Sequence, residues 1–325
     1  MPKRVLSGVK PSADMMHLGN WFGAVRQFVE LQETEENFIF IADFHALTTV
    51  HDAAQLRANS LEIATEYLAA GLDPARTVLW RQSDVPEVCE LAWLLSCVTG
   101  KGLLERAHAY KAAVDEGREV SMGLFCYPVL MAADILAYDA DWVPVGEDQV
   151  QHIEMTRDMA EYFNHTFGEV LKLPQPRLAK GFLRVPGIDG QKMSKSYGNT
   201  LGLFEDEKTL RKKVMSIVTD STPMGQPLNP DSCTVFALHS LFPGDDLEEL
   251  RRRYVAGDIG YGDAKKALLP KILHALTPLR ERYAGLRRDP GYVADVLREG
   301  AKRASRVARA TLDRCRRASG FADLD

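Results

Sequence analysis

The sequence predicts an α/β protein with a Rossmann-like, doubly wound parallel sheet, followed by an α-helical domain. Short, continuous apolar segments alternate with helical patterns through the first half of the chain, as in parallel sheets that are buried on both faces. Polar segments follow several of these apolar runs, at the positions where such sheets bind ligands. From about Glu205 onward the pattern is helical throughout.

In the first half, each predicted strand is an apolar run long enough to cross a buried sheet. Helices are predicted where apolar residues recur every three or four positions, and Gly71 and Gly100 end two of them. The predicted strands are Arg4–Val9, Asn37–Ala42, Thr77–Trp80 and Asp141–Val145. The predicted helices begin at Trp21 and at Gly146 and also cover Ala53–Ala70, Glu87–Thr99, Leu103–Val114 and Ser121–Ala137.

In the second half, the predicted helices are Glu205–Val218, Val235–Leu241, Asp246–Tyr254, Asp263–Tyr283 and Tyr292–Ser319. We therefore predict a Rossmann domain at 1–184, a loop and linker at 185–204, a helical domain at 205–290, and a final helix at 291–325 that packs back on the first domain. The final helix carries a basic run, namely Lys302, Arg303, Arg306, Arg309, Arg314, Arg316 and Arg317. Its alanines predict a packing face, so solvated surface and nucleic-acid contact are equally good interpretations of the run.

Composition excludes several classes of protein. The 325 residues are 46% hydrophobic and 26% charged, which is typical of a soluble globular chain of about two domains. The net charge of −5 means that any nucleic-acid contact must come from local basic patches. The five cysteines lack paired spacing, so we expect them to be reduced and mostly buried, with no metal site. Without a signal peptide or a membrane span, a cytoplasmic protein is expected.

The segment QKMSKSYGN, at Gln191–Asn199, combines two lysines and two serines. Prolines and glycines just before it predict a loop. Ammonium and hydroxyl groups on a loop suit a clamp for a polyanion such as a triphosphate. Taken alone, such a short match is more often a solvated surface loop.

Three polar segments, Lys10–Asn20, Asp43–His45 and Gly146–Gln149, follow predicted strands and should meet at one edge of the sheet. In the first, a strand, a turn and a helix allow a phosphate to rest on the helix N-terminus. In the third, Glu147 and Asp148 suit the positive end of a helix dipole. Simple capping is the alternative there, although ribose hydroxyls or an ammonium group would also fit.

An acidic residue, Asp134, interrupts the apolar helix YPVLMAADILA. A buried carboxylate without a partner is costly, so we expect a hydrogen-bond donor to face it. Met131 lies on the same helix face. A local cap or ion pair for Asp134, and plain core packing for Met131, are the alternatives.

Taken together, these segments resemble one family. His17-Leu18-Gly19-Asn20 looks like the first signature of class I aminoacyl-tRNA synthetases, and the sequence KMSKS at 192–196 is identical to the second. The segments around Asp134 and after Gly146, and the final basic helix, are similar to tryptophanyl-tRNA synthetases, so the resemblance covers nearly the whole chain. The segment from Pro11 to His17 is one residue longer than usual and lacks a glycine, as in tyrosyl-tRNA synthetases. Tyrosine specificity is therefore one alternative, and a synthetase-like regulatory or tRNA-binding paralogue is another.

The resemblance implies a tryptophan–tRNA ligase that uses ATP, Mg²⁺, L-tryptophan and tRNA(Trp). It implies a homodimer with no membrane or DNA partner, and an anticodon-binding role for 205–290. In related enzymes an iron–sulfur cluster occurs in this region, but here only Cys233 matches a ligand, while Tyr261 and Ala264 stand at later ligand positions. We therefore predict no cluster. Because a carboxylate is already ionised at neutral pH, the first step needs no dedicated general base.

The resemblance also implies roles for individual residues. The residues expected to act in catalysis are His17, Asn20, Lys192, Ser194 and Lys195. ATP would be bound by Lys10, Pro11, Ser12, Gly19, Asn20, Gly146, Glu147, Asp148, Val185, Lys192, Met193, Ser194, Lys195 and Ser196. Tryptophan would be bound by His45, Tyr127, Met131, Asp134 and Gln149, with Asp134 accepting the indole N–H.

Overall fold

The structure is a computed structural model that describes residues 2–11, 15–146, 149–178, 185–242, 244 and 246–321. Within these residues a five-stranded sheet has the order β3-β2-β1-β4-β5, and all of its strand pairs are parallel. The strands are β1 (Arg4–Val9), β2 (Glu36–Ile41), β3 (Thr77–Arg81), β4 (Trp142–Val145) and β5 (Gln175–Leu178). The chain runs outward from β1 to β3 and then crosses to β4, so the order reverses at β1. The predicted Rossmann-like α/β fold is confirmed.

Both faces of the sheet are buried, as the continuous apolar strands predict. Successive side chains of a strand point to opposite faces. Accordingly, Ile39 and Ile41 of β2 belong to one hydrophobic cluster, while Phe38 and Phe40 belong to the other. The first cluster continues into the second half of the chain, which ties the helical region to the sheet.

The helices around the sheet agree in place with most of the predicted ones, but three differences stand out. The short helix Asp43–Ala46 was not predicted, since the sequence predicts only a polar segment after a strand there. The first helix begins at Leu18 rather than Trp21 and includes a π-helical stretch, Trp21–Val25. The predicted helix Leu103–Val114 is instead two helices, separated at residues 105–107. The helices are α1 (Leu18–Asn20), α2 (Arg26–Leu31), α3 (Asp43–Ala46), α4 (Ala53–Ala69), α5 (Glu87–Val98), α6 (Lys101–Leu104), α7 (His108–Asp115), α8 (Met122–Leu136) and α9 (Val150–Phe167).

The second half of the described chain is helical. Its helices are α10 (Glu207–Met215), α11 (Thr234–His239), α12 (Leu247–Ala256), α13 (Tyr261–Arg288) and α14 (Pro290–Ala318). Helix α13 packs against α4, α10 and α11, and α14 packs against β3, α4 and α5. In the described ranges, no helix is long and apolar enough to cross a membrane.

The cysteines are less buried than the sequence suggested. Cys89 and Cys97 are exposed on α5, so the prediction of mostly buried thiols was wrong for these two. Helix α5 is apolar on more than one side, and none of the described residues covers its outward-facing positions, such as Trp93. Cys233 and Cys315 are buried, and Cys233 lies 3.8 Å from the hydroxyl of Tyr254.

Helix α14 approaches the backbone of β3 closely at Gly300. A Cβ atom added there would lie 1.8 Å from the carbonyl oxygen of Leu79. We expect Gly300→Ala to destabilise the fold by about 3 kcal/mol, the upper part of the range for overpacked sites, measured by urea unfolding. Gly285→Ala is the matched control, because its added Cβ meets no atom within 4 Å. That change in α13 should stabilise the helix by about 0.5–1 kcal/mol. Equal stability of the two variants would contradict the close approach.

Candidate active site

A cavity of about 330 Å³ opens at the carboxyl edge of the sheet, beside β1. The strand order reverses at β1, and ligands bind at such a switch point in open parallel sheets. The walls come from β1, β2, β4 and helices α3, α8 and α9. The cavity brings together Lys10 and four of the five residues expected to bind tryptophan, namely His45, Tyr127, Met131 and Gln149.

One wall of the cavity carries a chain of three polar side chains. The hydroxyl of Tyr127 lies 2.8 Å from Nε2 of His152, and Nδ1 of His152 lies 2.7 Å from Oε1 of Gln149. His152 therefore fixes the orientation of both neighbours. Burial raises the pKa of Tyr127, so its hydroxyl stays protonated at neutral pH.

Asp134, the fifth residue expected to bind tryptophan, is 1% exposed and does not line the cavity, but it contacts His45, which does. Its Oδ2 lies 2.8 Å from Nε2 of His45, and Nε2 of Gln82 donates to both carboxylate oxygens at 2.8 Å. The amide of Gln82 is oriented by the backbone N–H of Phe44, which donates to Oε1 at 3.1 Å. Burial raises the pKa of Asp134, and the hydrogen bonds from His45 and Gln82 oppose this rise. A carboxylate has about four lone-pair positions, so these three bonds leave room for one further donor.

The first signature is fixed to the segment that follows the second. His17 forms an antiparallel bridge with Gly202, and the N–H of Leu18 donates to the carbonyl of Leu201 at 2.9 Å. The side chain of Met193 is buried, and its sulfur accepts from the N–H of Gly19 at 3.4 Å. Two distant segments of sequence thus form one local structure.

The second signature forms a loop that Asn199 holds together from within. The buried Asn199 accepts the N–H of Ser194 at 2.8 Å and donates to the carbonyl of Lys192 at 3.1 Å. Its amide also donates to Asp189 at 2.7 Å. Lys195–Tyr197 then form a 3₁₀ turn that ends at Gly198, whose φ of 64° favours glycine. This arrangement leaves the lysines at the surface of a fixed loop, with Lys192 exposed and Lys195 half-buried.

Glu66 on α4 links both signatures. Its carboxylate is 1% exposed and accepts the N–H of Met16, next to His17, at 2.9 Å. Burial raises the pKa of Glu66 to about 7, while the Met16 hydrogen bond and the charge of Lys195 act in the opposite direction. Glu62 lies close enough to add to the rise.

The raised pKa of Glu66 predicts a stability that falls as pH rises. The folded protein holds the Glu66 proton more tightly than the unfolded chain does. The protonated side chain therefore contributes stability that is fully present below about pH 4.5 and is lost as pH rises through about 7. We expect Glu66→Gln to stabilise the protein by about 3 kcal/mol at pH 8.5 and by less than about 1 kcal/mol at pH 5. Urea unfolding at both pH values measures this. Glu161→Gln, an exposed change on α9, is the control, and a pH-independent gain for Glu66→Gln would contradict the prediction.

The structure describes most of the predicted site residues. Ser12, Glu147 and Asp148 lie outside the described residues. Pro11, Val185 and Met193 are buried, and Gly146 lies between β4 and α9. Four residues with clear structural roles were missed, namely Glu66, Gln82, His152 and Asn199. For Gln82 a signal existed, because it directly follows β3 at the carboxyl edge of the sheet.

Comparison with known proteins agrees with this geometry. The family model for tRNA synthetases class I (W and Y) matches residues 1–277. The tryptophan–tRNA ligase of Rhodopirellula baltica is 51% identical over 319 residues, which are 98% of this chain and 99% of that protein. The tryptophan–tRNA ligase of Fusobacterium nucleatum is 50% identical over 308 residues, covering 94% of each.

A solved structure of the same family also matches nearly the whole chain. The crystal structure of tryptophanyl-tRNA synthetase from Campylobacter jejuni, complexed with ADP and tryptophan, matches with a TM-score of 0.92 and 44% identity. It covers 98% of this chain and 99% of that chain. From the sheet, the paired signatures and these full-length matches, we conclude that the chain belongs to the class I aminoacyl-tRNA synthetases, within the tryptophanyl-tRNA synthetase family.

Proposed function

We propose that this protein is a tryptophan–tRNA ligase. It activates L-tryptophan with ATP to form tryptophanyl-adenylate and pyrophosphate, and it then transfers tryptophan to tRNA(Trp). The observation that carries the proposal is the cavity at the strand switch point, where Tyr127, Met131 and Gln149 meet and where His45 connects the wall to Asp134. Pyrophosphate exchange into ATP with tryptophan, and with tyrosine in parallel, tests it. Exchange with tyrosine alone would overturn the tryptophan assignment.

Tryptophan binding follows from the polarity of the cavity walls. The ammonium group needs acceptors, which Tyr127 and Gln149 supply from one wall. The indole ring would pack against Met131, and its N–H would take the remaining acceptor position of Asp134. His45 lines the cavity and orients Asp134. Together with Lys10, it would lie near the carboxylate of the bound tryptophan.

The first step is a displacement at the α-phosphorus of ATP. A carboxylate oxygen of tryptophan forms a bond to this phosphorus, and the bond to the bridging oxygen of pyrophosphate breaks. The carboxylate attacks as the anion, so no proton has to be removed. What the site supplies is orientation and positive charge for the phosphates. His17, Asn20, Lys192, Ser194 and Lys195 would supply these contacts.

ATP would enter as its magnesium complex, with the ion bound to phosphate oxygens. Mg²⁺ commonly uses one or two carboxylates together with substrate phosphates. Within the described ranges, no group of three His, Cys, Asp or Glu side chains is placed to hold an ion. The bound ion would neutralise charge on the departing pyrophosphate, next to the lysines of the second signature.

In the second step, the oxygen of a terminal ribose hydroxyl of tRNA(Trp) forms a bond to the carbonyl carbon of the adenylate. The bond from that carbon to the phosphate oxygen breaks, so AMP leaves and the hydroxyl proton is released. This step separates an enzyme from a regulatory paralogue. Adenylate formation without charged tRNA would favour the paralogue. We place the enzyme in the cytoplasm, because charged tRNA is consumed there by ribosomes.

We also propose that the enzyme acts as a homodimer. Trp93 on α5 is 69% exposed, and Met122 at the start of α8 is 71% exposed. Val114 on the neighbouring α7 is exposed as well. Helices α5 and α7 both pack against α8, and a large exposed apolar patch on packed helices is typical of a protein interface. Sedimentation of Trp93→Glu against the wild type tests this, since a charge at the interface should yield monomers.

A further inference from the structure

The structure divides the basic run of α14 into two groups. Most of its cations bind acidic or carbonyl groups of the first half of the chain and thereby hold α14 in place. The pairs are Arg303 with the carbonyl of Pro74 at 2.9 Å, Arg309 with Glu87 at 3.0 Å, Arg314 with Asp139 at 2.6 Å, and Arg316 with Glu90 at 2.6 Å. These cations are therefore engaged within the protein.

Arg306 belongs to the other group. It is exposed and has no hydrogen bond or ion pair among the described residues. It lines a groove of about 840 Å³ between α4 and α14. Across the groove lies Arg57 of α4, which makes no hydrogen bond or ion pair within the described part of the chain; its charge acts on the carboxylate of Asp52, which is exposed and does not line the groove.

Three further cations line the same groove, namely Arg81, Arg298 and Lys302. They pair with Asp84, Asp295 and Glu299 respectively, but only Asp84 belongs to the groove lining. The lining thus has an excess of positive charge in a chain whose net charge is −5. Like charges that outnumber their acidic neighbours on one concave surface repel each other, and a bound polyanion relieves that repulsion.

The shape of the groove favours a chain of phosphates over a single one. Arg298, Lys302 and Arg306 are spaced by four residues along one face of α14, so they extend over about 12 Å of helix. The groove is more than twice the volume of the tryptophan cavity. Arginine forks suit phosphate oxygens, and contacts of this kind position a nucleic acid without reading its bases.

The position of the groove also fits a polymeric substrate of this site. Arg81 is the last residue of β3, at the same edge of the sheet as the cavity. The next residue, Gln82, donates to Asp134, which contacts His45 of that cavity. The groove and the tryptophan cavity are therefore neighbours on one edge of the sheet.

We infer that the groove between α4 and α14 binds the sugar–phosphate backbone of the tRNA substrate, with Arg57 and Arg306 as its principal contacts. The inference rests on the proposed function. It makes part of the basic helix a tRNA contact and the remainder a structural attachment.

The test compares tRNA binding and tryptophan activation in the same proteins. For Arg57→Ala and Arg306→Ala, the Kd for tRNA, measured by filter binding, should rise roughly tenfold each. Between about 50 and 200 mM salt, the slope of log K against log salt should lose roughly 0.7–0.9 per variant. Arg306→Lys keeps the charge and should retain the wild-type slope. Arg26→Ala removes a cation of α2 that does not line the groove, and should bind tRNA as the wild type does.

Pyrophosphate exchange with tryptophan separates this inference from the proposed function. Exchange within about twofold of wild type, together with weaker tRNA binding, supports the groove. Normal exchange with wild-type Kd and salt slope in both alanine variants would overturn it. The inference would also be overturned if these substitutions weakened binding of a phosphorylated peptide and left tRNA binding unchanged. Absence of exchange in the unmodified enzyme would instead refute the proposed function.

Discussion

A Lys195→Ala enzyme is expected to form tryptophanyl-adenylate about 10²–10³ times more slowly than wild type, while it binds tryptophan with nearly unchanged affinity. Lys195 starts the 3₁₀ turn of the second signature and does not line the cavity proposed to bind tryptophan. Its ammonium would act on charge that grows on the phosphates as pyrophosphate departs. An interaction that is stronger in the transition state than in the ground state lowers the rate when it is removed, and leaves ground-state binding almost unaffected.

Single-turnover adenylate formation at saturating ATP and tryptophan measures the rate, and titration calorimetry measures tryptophan binding. Lys208→Ala is the matched control, because Lys208 is an exposed lysine at the start of α10. A wild-type rate for Lys195→Ala would show that the loop is surface alone. A large loss of tryptophan affinity would show that the substitution disturbs the cavity.

The second large effect is expected for Asp134→Asn. The carboxylate receives three hydrogen bonds from His45 and Gln82, and asparagine offers one oxygen while directing an NH₂ group at existing donors. Leaving buried donors unpaired costs about 1–3 kcal/mol each. We expect kcat/KM for tryptophan to fall about 10²–10³-fold in pyrophosphate exchange.

Substrate discrimination distinguishes a role in recognition from a role in packing. A tryptophan analogue with sulfur in place of the indole N–H cannot donate to Asp134. Sites built around such a bond can reject the analogue by roughly 10⁴–10⁵. The ratio of kcat/KM values for tryptophan and this analogue should therefore fall by about 10² or more in Asp134→Asn. Asp115→Asn, an exposed change at the end of α7, is the control. An unchanged ratio would mean that the indole N–H binds elsewhere.

The fold was predictable because its main signals are local. Strands such as β2 are apolar on both faces, and most helices show the helical spacing of apolar residues over many positions. Strand β5 was missed, since Gln175–Leu178 contains Pro176 and Arg177 and has no apolar alternation. Such a segment is well tolerated at a sheet edge, where one side needs no ladder hydrogen bonds.

The site was predictable only in part, for a similar reason. Short motifs identify residues that contact ligands, but not the residues that orient them. Gln82 and Asp134 are 52 positions apart, and Met16 and Glu66 are 50 apart. No pattern within one helix or strand reveals such partners. Asn199 is different, because it hydrogen-bonds within the same loop as Lys192. A polar residue directly after a glycine in a short loop could have predicted that its side chain closes the loop.

The attachment of α14 to β3 has a consequence for synthesis of the chain. Strand β3 is an edge strand, and about 210 residues separate its last residue from Pro290, where the covering helix starts. At 5–20 residues per second, a nascent chain would hold this edge open for roughly 10–40 s. An apolar, unpaired edge is a template for aggregation. The ribosome-bound intermediate, rather than the finished enzyme, is therefore the species that most needs a chaperone.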